Sequence, residues 1–171
     1  MKMRPLAALV LVCLLAGLLS AGCGSGGGAA STQATAAERA WQVGLRGWSR
    51  EMLGALDGMS RLFASPSAVR GIEGSQPKFD GELAVFEATL GGCTDRVRRL
   101  GPPPSRFQRA HEDALRACTS LERGAKLVIA GVKEVQGGRG YDVFGEATDP
   151  LSTGQSEVVL AKSELVSPSG D

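Results

Sequence analysis

Apolar residues recur along this chain in steps of three and four. Trp41, Leu45, Trp48, Met52, Leu56, Met59 and Phe63 advance by a helical period and show none of the alternation of a strand. Thr35-Ala36-Ala37-Glu38 supplies a capping box at the start of this run, and Ser65-Pro66 ends it, because a residue before proline avoids the helical region. The pattern predicts a helix over about 36–64, then a Gly/Ser/Pro-containing loop to about Pro77. Phe79, Leu83, Phe86, Leu90, Cys93, Val97 and Leu100 form an unbroken heptad seam, predicting a second helix over 78–100 that stops at Gly101-Pro102-Pro103-Pro104. A third, over 105–136, starts at a Ser105 cap. It carries Phe107, His111, Ala114, Cys118, Leu121, Ala125, Val128, Val132 and Val135 on one face and closes at Gly137-Gly138. Residues 139–148 read as a loop whose Tyr141, Val143 and Phe144 fold back as an apolar flap. Asp149-Pro150 suits the N-cap and first position of a weaker fourth helix over 150–166, with Leu151, Val158, Ala161 and Leu165 inward. The fold expected over 35–171 is all-α, an up-down-up-down bundle of three to four helices.

The residues before the bundle are of another kind. Lys2 and Arg4 precede an apolar stretch from Leu6 to Leu19, too short for a bilayer core that takes about 20 residues but the length of a signal-peptide core. Ser20-Ala21-Gly22 leads directly into Cys23. This ending resembles the lipobox of bacterial lipoproteins, although Ser20 stands where Leu is commonest. The resemblance implies a signal peptide over 1–22, cleavage before Cys23 and lipidation of the Cys23 thiol. Acyl chains there would tie the protein to the cell membrane or envelope on its extracytoplasmic side. Residues 24–34, GSGGGAASTQA, form a flexible tether that as a coil reaches roughly 18–20 Å. The helical part is similar to small all-helical domains of uncharacterised bacterial lipoproteins, a likeness of architecture that carries no activity.

Two cysteines remain beyond the leader and the lipidated one. Cys93 and Cys118 lie on the inward seams of consecutive helices, an even pair in an oxidising compartment. On flat turn geometry they miss each other by about 9 Å. If the three prolines rise along the bundle axis at about 3.1 Å each, the sulfurs come level. A disulfide is therefore expected, with a buried reduced pair as the alternative.

Composition narrows the chemistry. The 171 residues hold 19 Lys+Arg against 18 Asp+Glu, so nothing in the charge implies nucleic acid. There is one histidine, His111, and metal sites generally take three or four ligands; no Glu-x-x-His pairs, phosphate loop or nucleophile elbow occurs. No metal, cofactor or catalytic residue is expected, and the chain does not read as an enzyme. Trp41, Trp48, His111 and Phe144 are the weak candidates for a small-molecule pocket. Arg96, Arg98, Arg99, Arg106 and Arg109 make one end of the central hairpin basic, which suits a helix C-terminus and also anionic head groups. Gly47, Gly54 and Gly58 fall on one side of the first helix, away from its core face, where they would admit a partner helix or mean nothing. Two functions stay open at this stage. One is a lipid-anchored structural or protein-interaction module with an envelope protein partner; the other is a small-molecule carrier or sensor with an apolar pocket.

Overall fold

The computed structural model describes residues 34–65, 68–74 and 76–166. Cys23 and the leader lie outside them, as does most of the tether. The described chain is all-α. Its helices are α1 (Ala36–Ala64), α2 (Ala68–Gly74), α3 (Pro77–Gly91), α4 (Cys93–Arg98), α5 (Gln108–Gln136) and α6 (Gly145–Ser163), with 3-10 turns at Ser105–Phe107 and Tyr141–Phe144. No strand occurs among the described residues.

α1, α3, α5 and α6 form an up-down-up-down bundle in which each packs against its neighbours in sequence and α6 returns to α1. The directions follow from the contacts. Gln42, near the start of α1, donates to the carbonyl of Leu165 beyond the end of α6 at 2.7 Å. Phe63, near the end of α1, meets Phe79 near the start of α3 and Phe144 just before α6. One core runs through the bundle, with Leu45, Met52, Leu90, Val97, Phe107, Leu121 and Val158 almost fully enclosed.

The α1 boundaries agree with the capping box and with Ser65. Thr35 Oγ1 accepts from the Glu38 N–H at 3.1 Å, and the Glu38 carboxylate accepts from the Thr35 N–H at 2.6 Å. That hydrogen bond to the Thr35 backbone holds the Glu38 carboxyl below its usual range. Elsewhere the elements differ from the pattern. The expected loop over 65–77 contains α2, whose Ala68 and Ile72 are buried under the bundle end. The expected helix over 78–100 is broken at Gly92 into α3 and α4, and the Thr94 N–H freed by the break is met by the Glu122 carboxylate of α5 at 2.8 Å. The third helix enters through a 3-10 turn. α6 starts at Gly145, so Asp149-Pro150 is not its N-terminus and Pro150 lies inside the helix. The reason is packing: the inward face of α6 extends back to the buried Ala147 and includes Gly154, giving a continuous three-four spacing with Leu151, Val158 and Ala161.

α5 and α6 make the closest helix pair. Leu151 sits against Gly124, Leu121 against Gly154 and the Phe144 ring against Gly131; a Cβ added at Gly154 would lie 2.7 Å from Leu121, and one at Gly131 2.8 Å from Phe144. Each step of seven or three down one helix is matched by the same step up the other, so a single antiparallel register accommodates all three contacts. Ala110, Ala114, Ala117 and Ala161 keep the remainder of the interface thin.

Cys93 and Cys118 form a disulfide, with Cα atoms 5.1 Å apart and both side chains buried. Closing a loop of this length stabilises by roughly 3.5 kcal/mol in the chain-entropy model.

The glycines predict opposite responses to one substitution. Gly47 is exposed within α1 with open space around it, so Gly47→Ala should raise stability by about 0.5–1 kcal/mol. Gly154→Ala forces a methyl into Leu121 and should cost about 1–3 kcal/mol despite the better helix former. Urea unfolding of both variants checks the pair; equal shifts in midpoint would contradict the α5–α6 register.

Candidate functional site

The residues expected to line a pocket are placed in two separate regions. Trp41 and Trp48 are core residues, 6% and 4% exposed. Trp41 stacks on Phe107 at 5.5 Å between ring centroids and donates from Nε1 to the Gly101 carbonyl, which a positive φ of 77° turns toward it. His111 is half-buried and also meets Trp41, with ring centroids 6.1 Å apart and the planes tilted by 48°. Arg106 lies over the outer face of Phe107, 4.7 Å from the centroid, and its Nε reaches Glu38 at 3.4 Å. Arg106, Phe107, Trp41 and His111 thus cluster at the end of the bundle where α1 begins, beside a shallow concavity of about 580 Å³ that Trp41 lines with Leu100 and the three prolines. Phe144 is at the opposite end, folded back onto Gly131 and edge-on to Phe63 at 5.4 Å. Beside it the Tyr141 hydroxyl donates to Glu73 at 3.0 Å, which fastens the turn to α2. The structure does not bring Trp41, Trp48 and Phe144 to one cavity.

Neither the stack nor the core holds a cluster of metal-ligating side chains: among the described residues no group of three or more His, Cys, Asp and Glu is so placed. No helix among them is long and apolar enough to cross a membrane. Of the basic residues at the hairpin end, Arg96 is paired with Glu51 and Arg106 with Glu38.

A further concavity lies elsewhere, on the outer side of α1 and α3. It is an open trough of about 900 Å³. Its floor is made by Ala55, Met59, Leu62, Phe79 and Phe86, and its walls are cut low by Gly54, Gly58 and Gly81, where an added Cβ would meet nothing within 4 Å. Val85 stands on the α3 wall with 67% of its surface exposed. Charge is graded along the trough. Lys78 and Arg61 lie at the α1 C-terminal end, Glu82 one turn further along α3, and Glu51 at the other end. Arg61 pairs with Asp57 and Glu51 with Arg96, while Lys78 and Glu82 enter no ion pair among the described residues.

The sequence pattern marked Gly54 and Gly58 as lying off the core face, but it did not identify the α3 wall. The missed signal is in plain sight: Lys78, Gly81, Glu82 and Val85 share the helical side that leaves the Phe79–Leu83–Phe86 seam, and Val85 is the one large apolar residue there. Comparisons with protein-family profiles, with curated proteins and with solved structures found no match to this chain.

The stack predicts a pH response. Burial lowers the His111 pKa from its ordinary value of 6.5, since the imidazolium is desolvated there, and Glu112 opposes this only in part. A base with a depressed folded pKa favours folding fully above its unfolded pKa, and that contribution is lost as pH falls through the folded value. Stability should therefore decline as pH drops below about 6.5, and His111→Gln should flatten this part of the profile. Unfolding midpoints measured from pH 7.5 to 5 in both proteins check it. An unchanged slope in the variant would remove His111 as its source.

Proposed function

We propose that this protein is a lipid-anchored, extracytoplasmic module of the cell envelope that works by holding another protein. Two independent features support the reading. The Ser20-Ala21-Gly22-Cys23 ending supports attachment through a lipid on Cys23. The trough between α1 and α3 supports interaction, and it is the observation that carries the function: apolar surface is exposed in a long open channel while the bundle core beneath it is filled. Its polar lining is a set of separated rim charges and amides, an arrangement suited to recognition. A small-molecule carrier is the second reading. The volume of about 900 Å³ falls in the range of ligand pockets, but such sites usually bury most of the ligand, and this channel leaves one side uncovered.

Two measurements test the two halves of the proposal. Cys23→Ser should move the protein from the membrane fraction to the soluble fraction; retention through a high-salt wash would place the attachment elsewhere. A photo-crosslinking residue at Val85, in the trough, should give a discrete protein adduct in intact cells. The same residue at Val43, 66% exposed and outside the trough, should not. Equal labelling at the two sites would take the trough out of the function.

A further inference from the structure

We propose that the α1–α3 trough seats one amphipathic helix of another protein, about four turns long, with acidic side chains at its membrane-distal end and basic ones beginning a turn further in. The proposal deepens the interaction reading and rests on it. Length comes from the lining. On α1 the trough extends from Glu51 to Ser65, about 21 Å at 1.5 Å per residue, which a helix of about 14 residues fills. Shape comes from the glycines. At Gly54, Gly58 and Gly81 the walls are bare backbone, so a third helix can settle between α1 and α3 with its apolar side chains on Met59, Phe79 and Phe86. A channel open along one side suits a helix, which buries one face and leaves the other wet.

Charge sets the pattern on the incoming helix. Lys78 has no ion-pair partner among the described residues and lies at the far end, where the Arg61 charge is already met by Asp57, so an acidic group is favoured opposite Lys78. Glu82, likewise unpaired among them, lies one turn further along α3 and favours a base, whereas Glu51 at the near end is already met by Arg96.

The same gradient argues against a second copy of this chain. Two copies side by side and parallel would set Lys78 and Arg61 against their own kind. Two antiparallel copies would match in charge, but their α1 N-termini would then lie at opposite ends of bundles about 43 Å long, given the 29 residues of α1. With both bundles standing upright on the membrane, tethers that reach roughly 18–20 Å as coils would leave one of the two lipids out of reach. This step depends on the anchor at Cys23.

The test uses the full chain carrying Cys23→Ser, immobilised and panned against a displayed library of 14-residue helix-stabilised peptides with a fixed leucine face and randomised polar positions. Binders should carry acid in one terminal turn and base in the next. They should lose binding at least about tenfold to Gly58→Leu, which fills the channel at a position where the side chain has open space. Lys78→Glu and Glu82→Lys should each weaken the same peptides about threefold to fivefold, the scale of rim ion pairs. No enriched helix, or binders indifferent to Gly58→Leu, would overturn the proposal, as would binders with no charge pattern. Trough-dependent dimers in sedimentation would overturn it in favour of a second copy. Binding of a small amphiphilic dye that Gly58→Leu abolishes, with no peptide enriched, would overturn it in favour of a small ligand. A Val85 crosslink in cells combined with an empty library would leave the interaction module standing and remove only the helix.

Discussion

The close contact of α5 with α6 shapes the rest of the molecule. Glycine and alanine on both faces let the two backbones approach until Leu151, Leu121 and Phe144 rest directly on glycines of the other helix or beside it. The opposite pair, α1 and α3, carries Trp41, Trp48, Met52, Phe79 and Phe86 into the same core. Interhelical distance follows the size of the side chains between the helices. Small residues therefore draw α5 and α6 together, while the other three edges of the four-helix ring, α1–α3 among them, pack less closely. The trough is the outer surface of the α1–α3 edge. Glycine acts on both edges, but differently: at Gly124, Gly131 and Gly154 its absent side chain is occupied by a neighbour, and at Gly54, Gly58 and Gly81 it is not.

The break at Gly92 belongs to the same construction. α3 packs along α1, and its continuation must bring Cys93 and Val97 into the core and Cys93 to α5. Splitting the helix separates these demands. Glu122 satisfies the Thr94 N–H released by the break, and the disulfide joins the new helix to α5 immediately beside it. Beyond α4, Leu100 packs where Gly44 leaves room on α1, and Gly101 with the prolines carries the chain over Trp41 to Phe107. The end of the bundle where α1 begins is thereby packed with rings, and the α1–α3 edge beyond it carries the trough.

The sequence disclosed this fold as far as large side chains disclose it. The first-helix boundaries, the seams of α3 and α5 and the Cys93–Cys118 pair were all readable, because Trp, Phe, Leu and Val at three-four spacing have one physical explanation. What escaped was carried by small residues. The second buried face of α5 consists of Ala110, Ala117, Gly124 and Gly131, which do not stand out as a hydrophobic stripe, and without Gly154 and Ala147 the inward face of α6 looked interrupted. Asp149-Pro150 is a sound local signal for a helix start, and packing upstream overrules it. The trough was half legible for the same reason: three glycines off the core face of α1 show where a side chain is missing, but only the facing helix shows whether the gap is filled.

Glycines within helices are a cost that only some positions offset, and Gly47 is one where nothing offsets it. Each costs roughly 0.8–1 kcal/mol against alanine. On the α5–α6 edge the cost is offset, because those glycines set the distance between two helices. On the α1–α3 edge nothing within the described chain occupies the space they leave. An occupant from outside would supply that offset: a helix lying in the channel covers Gly54, Gly58 and Gly81 as Leu151, Phe144 and Leu121 cover Gly124, Gly131 and Gly154. Under the proposed anchor this edge also has a favourable position. The lining on α1 starts at Glu51, some 22 Å beyond the first residue of the helix, and continues away from the tether. Under that proposal a partner seated there would be held clear of the head groups, with the first turns of α1 and the rings around Trp41 as the spacer.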